Sequence, residues 1–99
     1  MPASARIYRL TPLAEADLEQ IWLYTSRNWS PEQADTYLAG IMAAFAGLAA
    51  GNRKGRPVLV REGYLKYAVG SHLVFYRESD TTMDVIRILH QRMDVENYL

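Results

Sequence analysis

The chain reads as an α+β domain: one strand, two helices and then a three-stranded antiparallel sheet, with the helical hairpin packed on one sheet face. Three observations predict this. Thr11-Pro12 and Ser30-Pro31 each open an apolar stripe at helical spacing. Beyond residue 60 that spacing gives way to three short β-branched and aromatic runs, parted by Gly70-Ser71 and by the polar stretch from Glu78 to Thr82. A single run, Ile7-Tyr8-Arg9-Leu10, precedes the first helix as an opening strand.

The elements follow in order. Thr11 suits the N-cap of the first helix, Pro12 its first turn, and Glu15, Asp17 and Glu19 the positive end of its dipole. Its stripe is Ala14, Leu18, Ile21, Trp22, Thr25 and Trp29. Ser30-Pro31-Glu32-Gln33 is a capping box that opens the second helix. The stripe here is Ala34, Tyr37, Leu38, Ile41, Phe45 and Leu48, and Gly51-Asn52 stops it. The short link at Asn28 and Trp29 makes the pair an antiparallel hairpin. Strands are expected at Tyr64 to Val69, His72 to Arg77 and Met83 to His90, the first two joined by a two-residue loop. Strict alternation along the last strand puts Ile86, Ile88 and His90 on one face and Val85, Arg87 and Leu89 on the other.

Ninety-nine residues make a single domain, 1–99, able to bury about 65% of the unfolded chain's surface. The absence of cysteine excludes a disulfide framework and a thiolate metal site, and suits a reducing cytoplasm. Met1 to Arg9 has no apolar segment of the kind a secretory signal needs. The longest uncharged stretch, residues 36–52, is interrupted by Gly40, Gly47, Gly51 and Asn52 and is too short to span a bilayer. No membrane partner is expected.

The net charge of zero conceals an uneven distribution. Residues 11–35 carry five acids against Arg27, whereas residues 51–77 carry Arg53, Lys54, Arg56, Arg61, Lys66 and Arg77 against Glu62. A basic middle of this kind is either a solvated surface or a nucleic-acid footprint. The far side of the second helix is equally unusual. It reads Ala39, Met42, Ala43, Ala46 and Ala50, with no charge between Asp35 and Arg53. A helix apolar on all sides is normally buried on all sides, and a two-layer domain of this size has nothing to cover the second side. Leu13 and Tyr24 also lie off the core stripe. Together these residues suggest a docking groove for another chain, with Leu13 and Tyr24 flanking the small-residue face.

Familiar catalytic signatures are missing: there is no Gly-rich phosphate loop, no GxSxG and no HExxH. His72 and His90 are the only imidazoles, so no metal site and no cofactor is expected. Asp94 and Glu96, two residues apart, point away from each other on a helix. One catalytic arrangement is left. Arg87 on the open sheet face, with Arg77, Lys66 and Lys54, could bind a phosphodiester, and His90 or Tyr98 could move protons.

Several stretches together resemble a known family. They are YRLTPLAEADLEQIWLYT at the start, WSPEQADTY opening the second helix, the loop GRP, the hairpin GSHLVFYR and the terminal IRILHQRMD. In these the chain is similar, over nearly its whole length, to the ParE toxins of the RelE/ParE superfamily of bacterial toxin–antitoxin systems. The resemblance implies a RelE/ParE-like fold and a toxin that blocks DNA gyrase by trapping it with cleaved DNA. It implies neutralisation by a ParD-like antitoxin in a hetero-oligomer, with operator DNA reached only indirectly through that antitoxin. The antitoxin surface is then expected at Leu13, Tyr24, Ala39, Met42, Ala43 and Ala46, and the target surface at Arg77, Arg87, His90, Arg92 and Tyr98. The resemblance favours a protein inhibitor of gyrase in the cytoplasm over a catalyst, and on that branch no catalytic residues are expected.

RelE-like relatives are instead ribosome-dependent messenger-RNA endoribonucleases that use lysines and arginines plus a terminal tyrosine or histidine. Only Arg87, and more loosely Arg77, Lys66 and His90, match that pattern. The lysine-dense strand is absent, which favours the gyrase branch; a non-toxic relic that still binds antitoxin is the other alternative. The terminal RILHQRMDVENYL admits three roles. His90 and Met93 cap the core while Asp94 to Leu99 form a last helical turn; or His90 and Tyr98 serve an RNA-cutting site; or Arg92 and the tail dock on gyrase or its DNA. Under the docking role, removing Asp94 to Leu99 leaves sheet and hairpin whole.

Overall fold

The computed structural model describes residues 6–99; residues 1–5, part of the stretch read above for a secretory signal, lie outside it. Strand β1 (Ile7–Leu10) leads into helices α1 (Pro12–Asn28) and α2 (Pro31–Ala50). Strands β2 (Arg56–Pro57), β3 (Leu65–Val69), β4 (His72–Glu78) and β5 (Thr82–His90) follow, and a short helix α3 (Val95–Tyr98) ends the chain. The five strands form one sheet in the order β1-β5-β4-β3-β2, antiparallel except for the parallel pairing of β1 with β5.

Local chemistry sets the helix boundaries. The Thr11 hydroxyl accepts from the Ala14 amide at 3.0 Å and donates to the Ile86 carbonyl at 2.8 Å, so one side chain caps α1 and pins it to β5. Ser30 accepts from the Gln33 amide at 3.0 Å. Gly51 ends α2 in the left-handed region, at φ 82°, and its amide returns to the last turn. Gly70 is likewise left-handed, at φ 56°, in the two-residue turn that sets Val69 opposite His72.

The main core lies between the helices and the sheet. Ala14, Ile21, Ile41, Phe45 and Leu48 pack on Val74, Tyr76, Met83, Val85 and Ile88. Fully burying a side chain such as Ile41 or Phe45 contributes about 1.5–3 kcal/mol. A second cluster occupies the opposite sheet face: Val58, Phe75 and Leu89 are buried there, with Tyr64, Leu73, Val95 and Leu99 against them.

Three expectations need correction. β2 is an extra strand of two residues, its pairing limited to Arg56 with Lys66 and Pro57 with Leu65. Strict alternation fails in β5, because Phe75 pairs with Arg87 but the next residue, Tyr76, pairs with Val85. Ile86 is the extra residue of a bulge. Val85 therefore joins Ile88 in the main core instead of sharing a face with Arg87. The outer sheet face, the one away from α1 and α2, is also less open than expected, since α3 and the β2–β3 loop cover part of it.

Candidate functional site

The first candidate surface is the outer side of α2. Ala39, Met42, Ala43, Ala46 and Ala50 are all exposed, while Ala34, Ile41, Phe45 and Leu48 of the same helix are buried. A row of small residues lets another backbone approach closely. Gly40, on the same helix, has nothing within 4 Å of where a Cβ would stand.

Leu13 and Tyr24 are exposed but do not flank that row. The Trp22 indole N–H donates to Asp35 of α2 at 2.9 Å, so the Trp22 side of α1 faces α2. Two residues on, after about 200° of rotation, Tyr24 points the other way. It lines a cavity of about 390 Å³ with Asp17, Gln20, His90 and Met93, along the edge of β5. Leu13 lies about three turns before Tyr24 and so shares its flank. The six expected antitoxin-binding residues thus form two surfaces.

His72 and His90, which also line that cavity, belong to a polar cluster that the sequence did not reveal. The Tyr37 hydroxyl lies 2.7 Å from His72 Nδ1, accepts from the Ser71 amide at 3.1 Å and is 3.3 Å from the Val69 carbonyl. The His72 and His90 rings meet edge to face at 5.3 Å, from directly opposed positions on β4 and β5. Burial holds the His72 imidazole below its ordinary value, and the neighbouring His90 adds to the effect. His90 Nδ1 accepts from the Arg92 amide at 3.1 Å, which leaves Nε2 to carry the proton of the neutral ring. The clue lay in register: a two-residue Gly70-Ser71 turn sets His72 at the turn end of the hairpin, opposite the end of β5.

The outer sheet face carries the expected cations. Arg56, Lys66, Phe75 and Arg87 form one cross-strand row, and Arg9, Asp84 and Arg77 form the next. Two of these arginines are held by carboxylates. Arg9 bonds Asp84 at 2.7 and 3.1 Å, which holds the Asp84 carboxyl below its ordinary range. Arg87 grips Asp17 of α1 through two 2.8 Å bonds, and the same carboxylate accepts the Ile88 amide at 2.9 Å. Both side chains of that second pair are mostly buried, at 15% and 14% exposure. Arg77 and Arg61 lie over the Tyr64 ring at 5.3 and 5.4 Å, and Arg61 also donates to the Leu99 carbonyl.

The terminal cluster folds onto this face. Asp94 caps α3 by accepting from the Glu96 amide at 3.1 Å, and Val95 and Leu99 pack on Phe75 and Leu89. The Tyr98 ring lies 5.8 Å from the Arg87 guanidinium. Arg92 is exposed. His90 sits on the helix side, apart from the row of Lys66 and Arg87, so of the two proton carriers considered for a nuclease only Tyr98 lies on the cation face. Among the described residues no group of three or more His, Asp or Glu side chains could hold a metal ion, and no helix is long and apolar enough to cross a membrane.

Comparison with known proteins places this geometry. The family described as the ParE toxin of type II toxin–antitoxin systems, parDE, matches residues 8–95. Toxin ParE1 of Mycobacterium tuberculosis is 46% identical over 94 residues, covering 93% of this chain and 96% of its own length. Among solved structures, the chromosomal ParDE system from P. aeruginosa superposes with a TM-score of 0.76 at 21% identity, over 87% of this chain and 96% of that one. The RelBE2 toxin–antitoxin complex from Mycobacterium tuberculosis gives 0.63 at 26% identity, over 89% of this chain and 100% of that one. The family match spans α1, α2, strands β2 to β5 and all but the first residue of β1, and the chain belongs to the ParE toxin family of type II toxin–antitoxin systems.

Proposed function

We propose that this toxin acts as a protein inhibitor of DNA gyrase in the cytoplasm, stalling the enzyme on cleaved DNA, and that a ParD-like antitoxin neutralises it in a hetero-oligomer. Membership of the ParE family supports the target. The observation that carries the non-enzymatic reading is the separation of the one nearby imidazole, and of any unengaged carboxylate, from the cations. The imidazole of His90 lies on the helix side, and the carboxylates that reach the Arg9 and Arg87 guanidiniums, Asp84 and Asp17, are each bound to those arginines. An RNA-cutting site needs a base free to take a proton beside the cations that hold the phosphate. The exposed, uncharged outer side of α2 supports the antitoxin part, with Ala39, Met42, Ala43 and Ala46 receiving an amphipathic helix. Leu13 and Tyr24 belong to a separate contact, made by another segment of the antitoxin.

One observation favours the RelE-like alternative: the Tyr98 phenol stands beside Arg87 on the face that also carries Lys66 and Arg77. Induction of the chain in cells without antitoxin separates the readings. Gyrase inhibition gives broken chromosomal DNA and intact messenger RNA. Fragmented messenger RNA that disappears with Tyr98→Phe or His90→Ala moves the protein to the nuclease branch. Growth without damage to either makes it a relic that only binds antitoxin.

A further inference from the structure

The cations on the outer sheet face are not equivalent. Arg9 and Arg87 are neutralised by Asp84 and Asp17. Arg61 is engaged with the Leu99 carbonyl. Arg56, Lys66 and Arg77 have no carboxylate within ion-pair distance among the described residues, and residues 1–5 contain no acid. Arg56 and Lys66 are directly opposed on neighbouring strands, about 5 Å apart by sheet geometry. Arg77 stands two residues from Phe75, the residue opposite Lys66. Like charges placed directly opposite on a sheet are destabilising. Arg56 and Lys66, together with Arg77, which stands opposite an Asp84 already bonded to Arg9 and makes no ion-pair contact with it, give this surface an excess of positive charge suited to a polyanion.

The aromatic groups indicate which polyanion. Single-stranded nucleic acid is gripped by aromatic rings on which bases stack. Here Tyr64 carries the guanidiniums of Arg61 and Arg77, and Tyr98 lies against Arg87. Phe75 is fully buried. The rings are already paired with arginines, so the face offers positive charge without a stacking platform. We infer that the outer sheet face binds the phosphate backbone of duplex DNA directly and without sequence preference, through Arg56, Lys66 and Arg77. The biological use of this contact rests on the gyrase reading, in which the target holds a DNA duplex; the contact itself does not require gyrase.

The test is fluorescence anisotropy of the full chain on a labelled 20-base-pair duplex of arbitrary sequence, titrated between 50 and 200 mM KCl. Three phosphate contacts predict a log–log salt slope of about −2.7, so affinity falls about 40-fold across that range. Lys66→Ala and Arg77→Ala each reduce the slope by about 1. Arg27→Ala, an exposed cation on α1, leaves it unchanged. Charge-retaining Lys66→Arg keeps the slope and guards against a folding artefact. No duplex binding at 50 mM salt overturns the inference, as does a slope that Lys66→Ala with Arg77→Ala leaves intact. Tighter binding to a single-stranded RNA of the same length also overturns it, and points to an RNA face instead. Duplex binding without gyrase inhibition refutes the proposed function but not this contact; inhibition without duplex binding does the reverse.

Discussion

Asp17 and Arg87, 70 residues apart in sequence, join the first helix to the last long strand through two 2.8 Å bonds. The same carboxylate accepts the Ile88 amide on the β5 edge that β1 leaves unpaired, so one side chain closes the sheet and holds a guanidinium. The pair raises the Arg87 pKa, chiefly through the hydrogen bond to Asp17.

Removing Asp17 leaves a mostly buried arginine without its counter-charge and the Ile88 amide without its acceptor. Asp17→Ala is expected to cost about 3 kcal/mol of folding stability. Urea denaturation reads this as a lower midpoint with an unchanged slope. An unchanged midpoint means that water replaces the carboxylate at no cost.

His72 gives the fold a pH dependence. Its imidazole is held neutral by burial, so as pH falls the unfolded chain takes up a proton before the folded one does. Its contribution is complete above the ordinary value of 6.5 and is lost as pH falls from there to the lowered folded value. The slope is at most about 1.4 kcal/mol per pH unit. Asp84, held low chiefly by its hydrogen bond to Arg9, loses its contribution only in the acid range below 3.8. Denaturation at a series of pH values is expected to show a decline below 6.5 that His72→Gln flattens. An identical decline in that variant assigns it to another group.

Much of this architecture was legible because short-range chemistry sets it. Thr11-Pro12, Ser30-Pro31 and Gly70-Ser71 fix two helix starts and one hairpin within a few residues of chain. What escaped depends on distant partners. The Ile86 bulge carries no mark in a run of apolar residues, so alternation misplaced Val85. Asp17 reads as an ordinary first-turn acid until β5 is laid beside it. The second core draws Val58 from a loop, Phe75 and Leu89 from strands and Leu99 from the tail, and no periodicity links them. Leu13 and Tyr24 were assigned to the α2 groove because both are off-stripe, whereas Trp22, on the stripe, is the residue that faces Asp35.

That second core changes what is expected of the tail. Val95 and Leu99 cover Phe75 and Leu89, so replacing both by alanine is expected to cost about 1–2 kcal/mol. Deleting residues 94–99 costs more, because it also strips Arg61 and Arg87 of their contacts with the tail. Arg92 is exposed, and Arg92→Ala leaves the midpoint unchanged. Reduced toxicity in that stable variant assigns Arg92 to the target contact; full toxicity removes it from the target surface.

The outer side of α2 is expected to tolerate charge in the isolated toxin. Ala43→Glu leaves folding intact, since Ala43 is exposed. It weakens antitoxin binding by about 2–4 kcal/mol, the cost of an unpaired charge at a buried interface. Calorimetry with the cognate antitoxin measures this. Unchanged affinity removes α2 from the interface.

The most direct test of the central claim is a gyrase reaction with purified components. Relaxed plasmid, ATP and gyrase are incubated with this toxin, and the DNA is examined after protein denaturation. The account predicts lost supercoiling and accumulated linear plasmid, both reversed by prior addition of antitoxin. Normal supercoiling, with ribosome-bound messenger RNA cut by the same preparation and spared by Tyr98→Phe, contradicts it.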